Sequence, residues 1–328
     1  MCRRVVLLLM FLSLLGCQNS AAKKSNVTKD GKKIYRIAVI PKGTTHEFWK
    51  SVHAGAVQAA EELGNVEVRW NGPPNEKDKE EQIKIFDTFV GKNVDGICLA
   101  PIDRDAFVPV VRRAKQRDIP TVIFDSGLSD ESNIVSYVAT DNKNGGVLGA
   151  KRLAELLDYK GGVILVRYQA GSESTEMREA GFLETLAQYE DIKILSESQR
   201  VDSSAEEALK LGESLLRNHK DEVRGVFTVC EPINKGLLQA LENEQMDGKV
   251  FFVGFDSDPR MVGGLESKSV HGVVLQDPVR MGYLAVKTMV DHLEGKPVDK
   301  RVRTGEYLAT SENMNEPDIK KLLSPEQY

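Results

Sequence analysis

The chain has 328 residues, of which 41% are hydrophobic and 28% charged, so it is long enough for two domains and has the composition of a soluble globular protein. Its formal net charge is −5 at pH 7 and it has no block of basic residues, which argues against nucleic acid or an anionic membrane surface as a partner. The four cysteines form neither a disulfide framework nor a Cys-x-x-Cys metal pair.

The first 33 residues differ in character from the rest of the chain. Residues 1–16 carry two arginines followed by the apolar run Val5 to Leu15, which predicts an export signal peptide and is too short for a permanent membrane-spanning helix. The segment LSLLGCQNS resembles a bacterial lipobox, so we expect Cys17 to carry lipid and residues 17–33 to form a polar tether. Simple secretion is the alternative. The chain is therefore predicted to be exported, as a lipoprotein of the periplasm or cell envelope anchored to a membrane.

After the tether, short apolar runs alternate with segments of helical period. The strand candidates are Ile34 to Ile40, Val66 to Trp70, Gly96 to Leu99, Thr121 to Phe124, Val135 to Thr140, Val163 to Val166, Ile192 to Ser196, Gly225 to Val229, Val250 to Gly254 and Gly272 to Leu275. The helix candidates are Glu47 to Leu63, Lys79 to Val90, Ala106 to Gln116, Gly145 to Leu157, Glu176 to Tyr189, Ala205 to Arg217, Ile233 to Glu242 and Pro278 to Leu293. This alternation predicts an α/β fold, and about ten strands favour two doubly wound parallel-sheet domains over one sheet.

Polar residues follow many of these strands. They include Lys42, Asp125, Ser126, Arg167, Cys230, Glu231, Asp256 and Gln276. Ligands of open parallel sheets bind beyond the carboxyl ends of the strands, so we expect these side chains to meet in a cleft between the two domains.

Six segments together resemble the ribose-binding group of the type I periplasmic binding proteins, the sugar-binding proteins of bacterial ABC importers. They are IAVIPKGTTHEFWKSVHAGA, IPTVIFDS, VATDNKNGG, STEMREAGF, VFFVGFDSDP and VVLQDPVRMGY. The resemblance covers nearly everything after the tether. It implies a monomer without cofactor or metal that captures a sugar and delivers it to the membrane subunits of an ABC permease.

The same resemblance implies three short hinge crossovers between the domains. They fall near Ala139 to Asp141, Leu275 to Pro278 and Thr304 to Glu306. The predicted domain boundaries are 34–140 plus 277–305 for the N-terminal domain and 141–276 plus 306–328 for the C-terminal domain.

The resemblance also carries ligand roles onto individual residues. Phe48 and Trp49 match the aromatic pair that sandwiches the sugar ring, and Asp125, Asp256 and Arg178 match residues of the family's sugar site. Carboxylates that accept and a guanidinium that donates in a fixed fork suit the hydroxyl rim of a sugar. The alternatives are packing of the aromatic rings on the core, helix capping by the aspartates, and a surface position for the arginine.

Four further positions complete the predicted site. Gln276 matches a glutamine of the family's sugar site, although it could instead only hold the crossover strand in place. Cys230 stands where the family usually has an asparagine, and Ser126 stands where it often has an arginine. These two differences leave the identity of the sugar open. We expect the side chain of Cys230 to fill space in the cleft wall and not to act as a reactive thiol. A lysine at the position of Lys42 recurs in relatives that bind a furanose quorum signal, which would make it a ligand contact. Alternatively, Lys42 pairs with Asp125 or points out of the cleft.

Other classes of protein fit less well. The segment GGVLG lacks the spacing of a nucleotide loop, and the five histidines are scattered without a Ser-His-Asp or metal-ligand grouping, so we expect no enzyme. A transcription repressor with this core would need a DNA-binding head where the export signal stands. A ligand-sensing subunit that docks on a chemoreceptor or sensor kinase stays open beside transport. The near balance of the cleft's charges predicts a neutral mono- or small oligosaccharide as the ligand.

Overall fold

The computed structural model describes residues 27, 28, 31–196 and 198–325. The predicted signal peptide, Cys17 and most of the tether lie outside the described residues. The strands are β1 Tyr35–Ile40, β2 Val66–Trp70, β3 Gly96–Leu99, β4 Thr121–Phe124, β5 Ser136–Ala139, β6 Gly161–Tyr168, β7 Ile192–Ser196, β8 Arg200–Val201, β9 Val223–Thr228, β10 Phe251–Phe255, β11 Gly272–Gln276, β12 Arg301–Arg303 and β13 Glu306–Ala309. The helices are α1 Glu47–Leu63, α2 Lys79–Gly91, α3 Val108–Lys115, α4 Asn142–Leu156, α5 Glu173–Leu186, α6 Ala205–Asn218, α7 Glu231–Asn243, α8 Pro259–Ser267, α9 Pro278–Leu293 and α10 Pro317–Leu323.

These elements form two sheets, each the centre of one domain. The first sheet has the order β12-β5-β4-β3-β1-β2 with parallel pairing throughout. The second has the order β13-β11-β10-β9-β6-β7, and β8 pairs with β6 beside it. The predicted α/β fold of two doubly wound sheets joined by three crossovers is confirmed.

Both faces of the first sheet are buried, as alternation along a strand requires. Ala38 and Ile40 of β1 belong to a core cluster with residues of α2 and α3, whereas Ile37 and Val39 pack with residues of α1 and α9. The second domain has one large cluster that includes residues of all of its longer strands. The two cores are separate, so each domain can move as a unit about the crossovers.

The main departure from the predicted parallel sheets is β13, which runs antiparallel to β11. The chain leaves the first sheet at the carboxyl end of β12 and reaches the second sheet two residues later, with Glu306 opposite Gln276 at the carboxyl end of β11. A strand that enters a sheet from that end must run against its neighbours. The sequence did not predict β12 and β13, because both strands are short and have few buried residues.

Two helix pairs pack unusually closely because glycines face carbonyl groups. A Cβ at Gly55 of α1 would lie 1.8 Å from the carbonyl oxygen of Val279, and one at Gly282 of α9 would lie 1.9 Å from that of Val52. The pair of α4 and α5 repeats the arrangement, as described below. Both pairs therefore bring the starts of their helices close to the cleft.

Candidate ligand-binding site

A small polar cavity of about 30 Å³ lies between the two domains, at the carboxyl ends of both sheets. Its walls come from the β1–α1, β2–α2 and β4–β5 connections of the first domain and from loops after β6, β9, β10 and β11 of the second. The lining residues are Lys42, His46, Phe48, Trp49, Glu76, Asp125, Tyr168, Ser172, Ser174, Thr175, Arg178, Cys230, Glu231, Pro232, Asp256 and Gln276. This volume holds a water or two, so the lining side chains must shift to accommodate a sugar ring while the domains stay closed around it.

Lys42 and Asp125 form one corner of the cavity, and both are buried. Lys42 Nζ lies 2.8 Å from Asp125 Oδ2 and donates to the hydroxyls of Ser172 at 3.2 Å and Ser174 at 3.1 Å in the other domain. Asp125 Oδ2 nevertheless accepts no well-aligned hydrogen bond from the described residues. A donor such as a sugar hydroxyl would satisfy it.

Arg178, Asp256 and Gln276 form the opposite corner. Arg178 Nη1 lies 3.6 Å from Asp256 Oδ2 and donates to the carbonyl of Val229 at 2.8 Å, while its Nε donates to Asn142 Oδ1 at 2.9 Å. Gln276 Nε2 donates to Asp256 Oδ1 at 2.7 Å. Arg178 is therefore buried and fixed, not a surface helix residue.

Burial raises the pKa of Asp256 to about 6, because desolvation outweighs the charge of Arg178 and the hydrogen bond from Gln276. Asp125 and Asp256 both adopt positive φ, 63° and 75°, at the ends of β4 and β10. Neither caps a helix, since Asp258 caps α8 after β10 and no helix directly follows β4. Their carboxylates therefore remain directed at the cavity.

Glu76 was not predicted from the sequence, yet it organises a third side of the cavity. Its Oε1 accepts hydrogen bonds from His46 Nδ1 at 2.8 Å and Trp49 Nε1 at 2.7 Å, and its Oε2 accepts one from the Tyr168 hydroxyl of the other domain at 2.7 Å. Burial alone would raise the pKa of Glu76, but His46, Lys42 and Trp49 lower it to about 2. Burial lowers the pKa of His46, and the hydrogen bond and charge of Glu76, with the charge of Glu231, reverse this and raise it.

Glu231 links the two domains at the N-terminus of α1. Its carboxylate accepts from the backbone N–H groups of Glu47 at 3.4 Å and Phe48 at 3.2 Å, and it pairs with Lys235. The residue before α1, His46, provides no side-chain cap. The carboxylate of Glu231, in the second domain, therefore caps the N-terminus of α1, which belongs to the first domain.

The aromatic pair is placed differently from the expected sandwich. Phe48 and Trp49 contact each other edge to face, with ring centroids 4.8 Å apart, so no sugar ring fits between them. Trp49 is only 2% exposed and its ring also packs near Phe124, so the alternative of core packing applies to most of its surface. Both residues line the cavity, and contact with one side of a ligand stays a prediction.

Ser126 is buried and is not among the residues that line the cavity, and its contact with a ligand stays a prediction. The positive φ of Asp125 makes a tight turn, in which Ser126 N–H bonds the carbonyl of Phe124. Its hydroxyl then accepts the N–H of Ser174 at 3.0 Å, across the domain boundary. Ser126 therefore contributes to domain contact.

The two described cysteines, Cys98 and Cys230, are both buried and free. Cys230 precedes α7 and lines the cavity, and burial raises the pKa of its thiol well above the ordinary value. This agrees with the reading of Cys230 as a filler that is not a thiolate.

Two features are absent from residues 27–325, apart from 29, 30 and 197. No helix there has the length and hydropathy needed to cross a membrane. No cluster of three or more His, Cys, Asp or Glu side chains is arranged to hold a metal ion in the same stretch.

The two-domain fold and the polar cavity between the domains define a binding protein, and comparison with known families agrees. The profile of the periplasmic binding protein domain matches residues 37–297, and the chain belongs to this family. The predictions of family and of a protein that is not an enzyme are confirmed. Family membership also implies an exported, periplasmic protein.

Several relatives are named for sugars. The D-allose-binding periplasmic protein of Escherichia coli K12 is 30% identical over 273 residues, which cover 80% of this chain and 87% of that protein. A carbohydrate transporter solute-binding protein from Agrobacterium radiobacter, solved with D-arabinose, has a TM-score of 0.84 and 32% identity over 88% of this chain and 99% of its own. An ABC transporter solute-binding protein from Agrobacterium vitis, solved with D-fucose, has the same TM-score and coverage at 30% identity.

Proposed function

We propose that this chain captures a neutral monosaccharide between its two domains and delivers it to an ABC-type permease. The observation that supports this most directly is the enclosed polar cavity, in which carboxylates, one guanidinium and one ammonium converge from both domains. Relatives named for allose and ribose, and similar structures solved with D-arabinose and D-fucose, support a sugar as the ligand.

The chemistry of the walls suits a sugar. Asp125 Oδ2 lacks an aligned donor, and sugar hydroxyls are donors. Lys42 and Arg178 donate hydrogen bonds at opposite corners, and the exposed part of Phe48 offers an apolar surface for the C–H groups of a ring face. Hydrogen bonds to charged groups contribute about 1.5 to 3 kcal/mol each, so a few of them give useful affinity.

The charges favour a neutral ligand. The cavity has two fixed cations, Lys42 and Arg178, and His46, whose pKa burial would lower but Glu76 raises. They face four carboxylates, those of Asp125, Asp256, Glu76 and Glu231. The N-terminus of α1, which could otherwise bind an anion, is already served by Glu231. A phosphate or carboxylate on the sugar would therefore meet repulsion.

Calorimetry against D-allose, D-ribose, D-arabinose and D-fucose, with the corresponding sugar phosphates and sugar acids, tests this function. We expect at least one neutral sugar to bind and its charged derivatives to bind at least tenfold more weakly. Tighter binding of the anions would reject a neutral sugar as the ligand.

We further propose that the protein acts as a monomer held at a membrane by lipid on Cys17. The support is the lipobox-like sequence before Cys17, together with the need of such a protein to stay near its permease. A single acyl chain anchors only marginally, so stable attachment needs two or more. Cys17→Ser should move the protein from the membrane fraction to the soluble envelope fraction, and continued membrane retention would reject the anchor.

A further inference from the structure

A second and larger cavity, of about 330 Å³, lies beside the first. The start of α1 and Pro278 of α9 provide its walls from the first domain, and α8, α10 and the end of β11 provide those from the second. Phe48, Asp256 and Gln276 line both cavities, so these three side chains form the partition between them. The two cavities therefore share one wall, and a rotation of the Phe48 side chain would join them.

The walls of the second cavity combine apolar surface with negative charge. Val262, Leu275 and Leu322 are among its apolar residues. Its carboxylates are Glu47, Asp256, Asp258 and Glu266, and none of the described residues that line it is Lys, Arg or His. Glu47 is paired with Lys50, and Asp256 lies 3.6 Å from Arg178, so Asp258 and Glu266 are the two of these carboxylates without an ion pair among the described residues. The space therefore favours a positively charged group with an apolar stem.

Asp258 supplies an independent indication of a missing donor. Its Oδ1 caps α8 by accepting the N–H groups of Arg260 at 2.7 Å and Met261 at 3.2 Å. Its Oδ2 is buried and has no hydrogen-bond partner among the described residues, and the whole residue is only 3% exposed. A buried carboxylate oxygen without a donor is unfavourable, and an ammonium group in the cavity would provide that donor.

We propose that the second cavity, called here the amine pocket, receives an ammonium-bearing substituent attached to the sugar in the first cavity. This inference rests on the function proposed above. The ring of Phe48 at the partition favours a cation near its face, and the four carboxylates disfavour an anionic substituent. The ligand class is thus an amine-substituted sugar derivative, with the neutral ring between the domains and the charge beside Asp258.

The test compares three derivatives of whichever panel sugar binds most tightly. Its O-ethyl, O-(2-aminoethyl) and O-(2-carboxyethyl) derivatives, made at each hydroxyl in turn, are titrated by calorimetry beside the free sugar. For at least one position we expect the aminoethyl derivative to bind about tenfold more tightly than the ethyl one, and the carboxyethyl derivative to bind more weakly than both.

Two variants separate the amine pocket from the sugar site. Asp258→Asn keeps an oxygen that can cap α8 but removes the charge, so it should abolish the aminoethyl preference. Gly263 lines the pocket and a Cβ there meets no atom within 4 Å, so Gly263→Trp should place its ring in the pocket and weaken the derivatives about tenfold while the free sugar binds as before. Gly91→Trp, at an equally open position on α2, is the matched control and should change nothing.

Several results would overturn the inference. Equal binding of ethyl and aminoethyl derivatives at every position would reject the amine pocket alone, as would an aminoethyl preference that persists in both Asp258→Asn and Gly263→Trp. Failure of every neutral sugar to bind would instead reject the proposed function, and this inference with it.

Discussion

Asp125 and Asp256 occupy equivalent places in the two domains but are held differently. Each ends a buried strand with positive φ, so each carboxylate turns toward the cavity. Asp125 has a lysine 2.8 Å away, whereas the guanidinium of Arg178 is 3.6 Å from Asp256, whose pKa rises to about 6. The second aspartate thus has weaker charge compensation and more to gain from ligand donors.

Replacing Asp256 by alanine should weaken sugar binding by about 2 to 4 kcal/mol, which is tens to hundreds of times in affinity. The change deletes an acceptor and leaves the buried Arg178 without its carboxylate partner. Calorimetry with the best-binding sugar measures the effect. Asp247→Ala, at an exposed position, is the control and should retain full affinity; unchanged binding by Asp256→Ala would remove Asp256 from the site.

Glu76 should make the protein sensitive to acid. Its pKa is about 2 in the folded protein and 4.5 ordinarily, so its stabilisation is complete above about pH 4.5 and is lost as the pH falls from there toward 2. The shift corresponds to about 3 kcal/mol. Urea unfolding of Glu76→Gln should therefore show a large loss of stability at pH 7 and a clearly smaller loss at pH 3, relative to the wild type.

The exposed Glu190 provides the comparison for that experiment. Glu190→Gln should track the wild type at both pH values. If Glu76→Gln destabilised the protein equally at pH 7 and pH 3, the effect would be one of packing and not of a depressed pKa.

The sequence predicted several lining residues that end or directly follow strands, and it did not predict others, of which Glu76 makes the most hydrogen bonds. Asp125, Asp256 and Gln276 were found because strand ends mark the ligand edge of a parallel sheet. Glu76 also lies beyond a strand, β2, but six residues along and inside the charged, proline-containing run NGPPNEKDKE, which is typical of a solvated turn. The position of Ser126 depends on the backbone turn at Asp125, which the spacing of residues in the sequence does not predict.

At the scale of elements, close packing of α4 on α5 positions Arg178. A Cβ at Gly146 would lie 2.1 Å from the carbonyl oxygen of Arg178, and one at Gly181 would lie 2.0 Å from that of Lys143. The contact brings Asn142, at the start of α4, within hydrogen-bond distance of Arg178 Nε. The helical periodicity of the sequence predicted both α4 and α5. It did not predict that they pack on each other, because that contact depends on Gly146 and Gly181 facing the opposite helix in the folded protein.

Gly146→Ala should destabilise the protein by about 3 kcal/mol, because the backbones of α4 and α5 must separate to admit one methyl group. Separation also shifts Arg178, so sugar affinity should fall. Chemical unfolding and calorimetry measure the two effects. Gly263→Ala, in α8 with open space at its Cβ, is the matched control and should be neutral or stabilising by up to about 1 kcal/mol; equal losses in both variants would refute the packing argument.

At the scale of the whole molecule, hydrogen bonds and ion pairs fasten one domain to the other around the cavity. Lys42 reaches serines of the second domain, Tyr168 reaches Glu76 of the first, and Glu231 reaches the start of α1. The hinge strands are themselves joined, since the hydroxyl of Thr140 donates to Gln276 Oε1 at 2.7 Å. The described arrangement is therefore a closed one, and ligand exchange requires rotation about the three crossovers.

Small-angle X-ray scattering should detect this rotation. Saturation with the best-binding sugar should shift the curve toward that calculated from the closed structure, with a smaller radius of gyration than without sugar. Asp256→Ala at the same sugar concentration should show no shift. Superimposable wild-type curves with and without a tightly bound sugar would refute closure by domain movement.

The two domains are connected by a reciprocal exchange of helices. After β5 of the first sheet, α4 crosses and packs on α5 in the second domain; after β11 of the second sheet, α9 crosses back and packs on α1 in the first. Both pairs use the same glycine-to-carbonyl contact. The core of the second domain includes residues of α4, and the core of the first includes residues of α9. Neither domain therefore has a complete core without a helix that follows the other domain's sheet along the chain.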